Sequence, residues 1–317
     1  MMRNDAMVDK DAVTSWLMEG DPAIRWQTMR DLLDMPWQAE QRRTSGEGWG
    51  AQLLSRQDPA GTWGGGVYLP KWTSATYTLL TLGDIGIPRD CPATQRGARV
   101  VLDTQLGQAL DRAFQERLAR CDRCVVGMDL RLAVYFGVDD ERVEAIVANL
   151  LDEIMPDGGW NCRRLRQPRP KHSSFHTTLN VLEGLREYVE LRDGKLREQA
   201  LAAERAALEL LLQHRLFRSD KTGQVIDSRF TLFSYPYRWH YDVLRALSYF
   251  ARAGAPRDPR LREALDLLRE RRRADGRWPA QHKYAGQVFF DMEKTGAPSR
   301  WNTLRALRVL RWWESQP

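Results

Sequence analysis

The segment "PDGGWNC" (156–162) sits between a charged amphipathic stretch and an apolar one, and it has two kin in the chain, "QDPAGTWGGG" (57–66) and "ADGRWPA" (274–280). In each, an aspartate and a glycine set a turn, because glycine accepts the positive φ that other residues resist. A tryptophan follows, suited to pack back between neighbouring helices as an anchor. A phrase that recurs at wide spacing is the signature of a repeat architecture, in which each unit is one supersecondary element.

Outward from these turns, the apolar stretches align on a phrase of the form x-x-L-x-x-L. It reads "QTMRDL" (27–32), "YTLLTL" (77–82), "MDLRLA" (128–133), "NVLEGL" (180–185), "DVLRAL" (242–247) and "NTLRAL" (302–307). More charged amphipathic helices are expected between them, near 9–18, 45–55, 94–106, 141–154, 195–213 and 259–272. No run of alternating β-branched residues competes with this helical pattern. The expectation is an all-α protein in which six inner and six outer helices alternate and close into an (α/α)6 toroid, one domain over 1–317. Closure buries every inner helix against two neighbours, whereas an open array leaves terminal faces to cap.

Composition agrees with a globular chain: 43% hydrophobic and 28% charged residues leave enough apolar surface for a core. No apolar run reaches the length of a membrane span. The N-terminus "MMRNDAMVDKDAV" lacks the apolar centre of a signal peptide, so a cytoplasmic protein is expected. The net charge of +6 is carried by arginines as in "RRLRQPRPK" and "RERRR". Most fall at helical spacing among leucines and glutamates, the pattern of solvated helix faces, and no nucleic-acid motif accompanies them, so no nucleic-acid partner is expected.

The D-G-x-W turns followed by apolar helices resemble degenerate copies of the QW-type repeats of squalene and hopene cyclases, and of the related protein prenyltransferase β subunits. The resemblance covers most of the chain, is loose in sequence, and implies the terpenoid-cyclase/prenyltransferase α/α toroid as a single barrel. It departs from that pattern where chemistry is concerned. The D-x-D-D acid motif of the cyclases is absent. The nearest string, "GVDDER" (137–142), lacks the first aspartate and reads as an N-cap with acidic first-turn residues. The prenyltransferase zinc triad of Asp, Cys and His has no clean match either.

In such a ring the inner helices point the same way, and their N-terminal dipole ends converge on one mouth. Residues at those ends are the site candidates: Tyr68, Trp72, Cys121, Cys124, His172, His176, Trp239, His240, Arg300 and Trp301. A ligand is expected to enter there and to meet Tyr77, Trp239, Asp242, Trp301 and Asn302 on the cavity wall. The first position of the repeated phrase gives Gln27, Tyr77, Met128, Asn180, Asp242 and Asn302. Three residues on come Arg30, Leu80, Arg131, Glu183, Arg245 and Arg305. Two readings of this second set stand: it lines the cavity, where it suits a polar or anionic group, or it forms a structural network of arginines with Glu183 and Asp242.

Cys121 and Cys124 precede the third inner helix; Cys162, His172 and His176 precede or start the fourth. Three thiolates and an imidazole make a tetrahedral zinc site with Zn–S near ~2.3 Å. His176 is favoured over His172 as the fourth ligand, at the third helical position if Ser173 is the N-cap. Four ligands imply a structural zinc, three an open catalytic one. The alternative is a set of buried cysteines with a histidine at a helix start. Cys91 stands apart.

For function, two readings are carried. One is an enzyme acting on an apolar or isoprenoid-like small molecule in the central cavity. Its acid/base candidates are Asp242, Glu183, Glu293 and His240, and Tyr68, Trp72, Tyr77, Asn180, Trp239, Arg245, Arg300, Trp301 and Asn302 shape its pocket. The other is a non-catalytic, zinc-stabilised binding or scaffold protein. A deep aromatic pocket with converging acids favours the first, a lumen of Arg–Glu pairs the second.

Overall fold

The computed structural model describes residues 10–138, 140–162 and 170–315. Asp139 of "GVDDER" and most of the basic run after Cys162 lie outside the described residues. The chain is mostly helical. In chain order run α1 (Lys10–Met18), α2 (Pro22–Asp31), α3 (Gln38–Arg43), α4 (Gly48–Leu54), α5 (Ala75–Ile85), α6 (Pro92–Leu106) and α7 (Arg112–Arg120). They are followed by α8 (Arg123–Tyr135), α9 (Arg142–Asp152), α10 (Phe175–Leu191), α11 (Arg197–Gln213), α12 (Val243–Arg252), α13 (Arg262–Glu270) and α14 (Arg300–Ser315). β-Structure among the described residues is one antiparallel pair, Trp278–Pro279 with Pro298–Ser299, and three isolated bridges.

The three tryptophan turns are built alike. Gly61, Gly158 and Gly276 take φ of 86°, 93° and 80°, so each turn needs its glycine. In each, the backbone N–H of the glycine donates to the carbonyl three residues back, Asp58, Met155 and Arg273. The indole N–H of Trp63, Trp160 and Trp278 then donates, at 2.7 Å each, to the carbonyl ten residues back: Leu53, Leu150 and Leu268. Those carbonyls lie in the C-terminal turns of α4, α9 and α13, where the helix leaves its last carbonyls without intrahelical partners; Leu53 also accepts from the Arg56 N–H at 3.1 Å. All three indoles are fully buried. One side chain thus caps the outgoing helix and anchors the turn that leads to the next.

The helices that carry the repeated phrase are α2, α5, α8, α10, α12 and α14. Their sides are buried, and consecutive ones meet through polar contacts as well as apolar ones. Trp26 of α2 donates to the Ile85 carbonyl of α5 at 2.8 Å. Arg131 of α8 donates to Asp84 of α5 at 2.6 Å and to Glu183 of α10 at 3.2 Å. Arg245 of α12 donates to the same Glu183 at 2.8 and 2.7 Å. Arg308 of α14 donates to Gln27 of α2 at 2.6 Å, so the last helix meets the first. α3 and α7 are short additions that the repeat pattern does not anticipate.

Candidate functional site

A cavity of about 770 Å³ is lined by side chains from all six phrase-bearing helices. Its wall includes Arg30, Arg131, Glu183, Arg245 and Arg305, five of the six residues three places into the repeated phrase. In α5 that place is Leu80, and the polar wall residue comes one turn later, at Asp84. Both sequence readings of this stripe therefore describe one object: it lines the cavity, and it is tied into a network. Among the described lining residues are eight arginines and five carboxylates, a formal excess of three positive charges.

The network is deeply buried. Burial pushes the Glu183 carboxyl up, but Arg245 and Arg131 outweigh it and hold it below the ordinary carboxylate range. Asp84 accepts from Arg131 and, at 2.9 Å, from the Tyr237 hydroxyl. Two guanidinium groups lie over the Tyr237 ring, Arg245 at 4.2 Å and Arg305 at 5.1 Å from its centroid. Asn180 joins the same cluster, its side-chain oxygen accepting from Arg245 at 3.0 Å.

The location of the cavity corrects the expected mouth. Its rim is formed by Glu190, Arg252, Arg311 and Ser315, in the last turns of their helices, not by the helix N-termini. The reason lies in the connections. Long loops enter α5, α10, α12 and α14 at their N-terminal ends and carry the aromatics that fill that end, whereas short turns leave α5, α8, α10 and α12. The loops meet there: Trp72 donates from its indole to the Ala285 carbonyl at 2.9 Å, and His240 is stacked on Tyr284 at 3.6 Å and on Trp239 at 3.8 Å. A second, much smaller cavity of about 50 Å³ remains among these loops, lined by Trp72, Arg238, Tyr284 and Glu293 among others.

The residues expected on the wall at the N-terminal mouth are distributed accordingly. Trp301 lines the large cavity. Tyr77 and Trp239 do not. Tyr77 bonds through its hydroxyl to that of Tyr68 at 3.1 Å and packs edge-on to Trp72. Asn302 donates its amide to the carbonyls of Phe233 and Pro279 and ties loops to α14. Arg300 points outward over Trp16 and donates to its carbonyl at 3.1 Å.

Asp242 is a helix cap. It is fully buried, accepts from the backbone N–H of Arg245 at 2.7 Å and of Ser234 at 3.4 Å, and is absent from the cavity wall. Glu293 accepts from the Ser299 hydroxyl and from the Trp301 backbone N–H at the start of α14; burial raises its pKa. His240, held in its aromatic stack, is pushed down to about 3 by burial and by the neighbouring His176, and is neutral at physiological pH. Each acid/base candidate is thus engaged in capping, pairing or stacking.

The thiols divide. The sulfurs of Cys124 and Cys162 lie 3.2 Å apart, and Cys162 also meets the Thr177 hydroxyl at 3.4 Å. That contact lowers the Cys162 thiol to about 7 and raises its partner. Ser174, not Ser173, caps α10, because its hydroxyl reaches the Thr177 N–H, and His176 accepts the Tyr241 N–H on Nδ1 at 2.8 Å. His172 is exposed, near Asp157. Among the described residues no three His, Cys, Asp or Glu side chains converge as metal ligands.

Sequence reading passed over Asp84, Tyr235, Tyr237 and Arg308 of the wall. Carrying the stripe one turn past the fourth position of each phrase would have found Asp84. It also passed over Asp129, a buried carboxyl on α8 that faces outward to Gln105 at 2.7 Å and that burial keeps well above its ordinary pKa.

The chain matches no protein-family model and no curated protein. Among the described residues no helix is long and apolar enough to cross a membrane.

Proposed function

We propose that the chain is a single-barrel (α/α)6 toroid that binds a polar small molecule in its lumen, and that it acts as a binding protein. The observation that carries this reading is the roughly 770 Å³ cavity with a charged wall drawn from six helices. Contacts from α2 through to α14 and back to α2 support the closed ring. The volume is that of a small-molecule site. A wall of arginines and carboxylates does not suit the apolar or isoprenoid-like ligand that the family resemblance implies, because hydrocarbon gains nothing from displacing water there. Engagement of Asp242, Glu183, Glu293 and His240 in structural contacts supports binding over catalysis.

The test is a panel of polar metabolites screened by thermal shift, followed by Ser248→Trp. Ser248 lines the cavity and bonds only back to the Leu244 carbonyl of its own helix. An indole there fills lumen space, so ligand affinity should fall about tenfold or more while the far-ultraviolet spectrum stays unchanged. Binding that survives Ser248→Trp undiminished, or a panel with no ligand, removes the lumen reading.

Zinc on Cys121, Cys124, Cys162 and His176 is a separate proposal, supported by the meeting of two of its thiols. Elemental analysis of the purified protein is expected to find about one equivalent if those four residues are the ligands. Less than about a tenth of an equivalent removes zinc and leaves a half-buried thiol pair.

A further inference from the structure

Buried polar side-chain atoms without a protein hydrogen-bond partner are rare, and each asks for an explanation. Thirteen such atoms occur among the described residues, and five belong to side chains that line the large cavity: Tyr235 Oη, Trp301 Nε1, Arg305 Nη2, Arg308 Nε and Trp312 Nε1. All five can donate; four can do nothing else. Those four are spaced 301, 305, 308 and 312, the i, i+4, i+7, i+11 pattern of one helix face, so they share the face of α14 whose side chains line the cavity. Over that span the helix rises roughly 16 Å.

The inner end of the stripe is a built site. Trp301, Arg305 and Tyr235 are 2%, 5% and 7% exposed. Tyr235 stacks on Trp301 with ring centroids 4.2 Å apart. Arg305 is fixed through Nη1 to the Ser234 carbonyl at 3.2 Å, next to Tyr235, and leaves Nη2 unused. Its nearest carboxylate, Asp242, stands at 4.0 Å and is already occupied as a cap. Of the other seven arginines of the wall, Arg30, Arg131, Arg245, Arg252, Arg308 and Arg311 each have a carboxylate within 3.0 Å, and Arg89 donates instead to the carbonyls of Tyr135 and Val134. One guanidinium without such a partner, one indole N–H and one phenol thus point to the same chemistry, an acceptor-only group of negative charge.

Resting on the lumen reading, we infer that the ligand is a small organic oxyanion, a carboxylate or a phosphate, whose charged group is held by Arg305, Trp301 and Tyr235 at the inner end of the α14 stripe. The guanidinium supplies charge and direction, as arginine does for planar or tetrahedral oxyanions. The indole and the phenol supply two further donors at no cost in desolvated charge. The rest of the molecule extends along α14 toward Arg308 and Trp312 at the rim.

Three probes test this by calorimetry at low ionic strength: inorganic phosphate, benzoate, and benzamide as the neutral isostere of benzoate. Benzoate or phosphate should bind, and benzoate at least about tenfold tighter than benzamide. Trp301→Phe keeps the ring stack on Tyr235 and removes only the N–H. It should weaken the anion about tenfold and leave benzamide unchanged. In proton–nitrogen correlation spectra of the wild-type chain, the indole signal lost in Trp301→Phe should be one that moves on adding the anion. Equal binding of benzoate and benzamide, both blocked by Ser248→Trp, overturns the oxyanion and leaves the lumen reading standing. Anion binding that Ser248→Trp does not touch overturns both. Failure of phosphate and benzoate to bind at millimolar concentration also overturns the inference.

Discussion

Glu183→Gln should cost the folded state about 4 kcal/mol, because removing one partner of a buried ion pair leaves the other uncompensated. Glu183 accepts from Arg245 at 2.8 and 2.7 Å and from Arg131 at 3.2 Å. Glutamine has the same shape but keeps one acceptor, and its amide nitrogen must face a guanidinium donor. Two buried cations then share what one carboxylate neutralised. Urea denaturation of both proteins at neutral pH measures the difference. A loss below about 1 kcal/mol would mean that the network is solvated, as exposed pairs are. The pH dependence follows from the lowered carboxyl. A group whose pKa is depressed on folding contributes stability above its unfolded value, about 4.3 for glutamate, and loses it as pH falls through the folded value. The gap between wild type and variant should therefore be widest near neutrality and narrow below about pH 4. Were Glu183 a general acid instead, the substitution would leave stability nearly intact.

The contrast between Glu183 and Asp242 shows what the sequence could and could not convey. Both fall in the repeated phrase, and the sequence offers both either as cavity acids or as partners of arginines in a structural network. Periodicity identified the stripe that contains Glu183, since helical spacing is local information. Asp242, by contrast, stands directly before an apolar helical run, which is an N-cap signal in its own right. The local rule was available and outranks the repeat alignment there. The tryptophan turns were legible for a similar reason: each links atoms ten residues apart, well inside one repeat. What the sequence did not convey was which end of these helices the cavity opens at. That depends on how the loops at 67–72, 230–241 and 280–293 pack on one another. Their aromatic content marked them as a site, yet the aromatics meet each other and fill that end. Loop length carried a partial signal, because the long connections lie on the N-terminal side of these helices and the short ones on the C-terminal side.

Gly184→Ala should destabilise the protein by about 3 kcal/mol or more, the upper range for overpacking a filled interior. Helix propensity alone predicts the opposite, a gain of about 1 kcal/mol on replacing a mid-helix glycine by alanine. Geometry decides between them. A Cβ at Gly184 would stand 2.4 Å from the Gly127 carbonyl oxygen, and one at Gly127 would stand 2.7 Å from the Asn180 carbonyl oxygen and the Val181 Cα. These are backbone atoms of the facing helix, so no rotamer change relieves the contact; α8 and α10 must move apart. Gly83→Ala is the control. It is also helical, but its Cβ would meet only Tyr135 Cδ1 at 3.9 Å, so this variant should be neutral or more stable by up to about 1 kcal/mol. Thermal and urea unfolding of the three proteins give the comparison, and equal behaviour of Gly184→Ala and Gly83→Ala would show that the close approach is not real. The consequence reaches the lumen. Arg131 leaves α8 one turn beyond Gly127 and meets Glu183, the neighbour of Gly184, so prising these helices apart separates the ion pair as well. Any Gly184→Ala protein that still folds should therefore bind the ligand proposed for the cavity more weakly, though neither glycine touches the cavity.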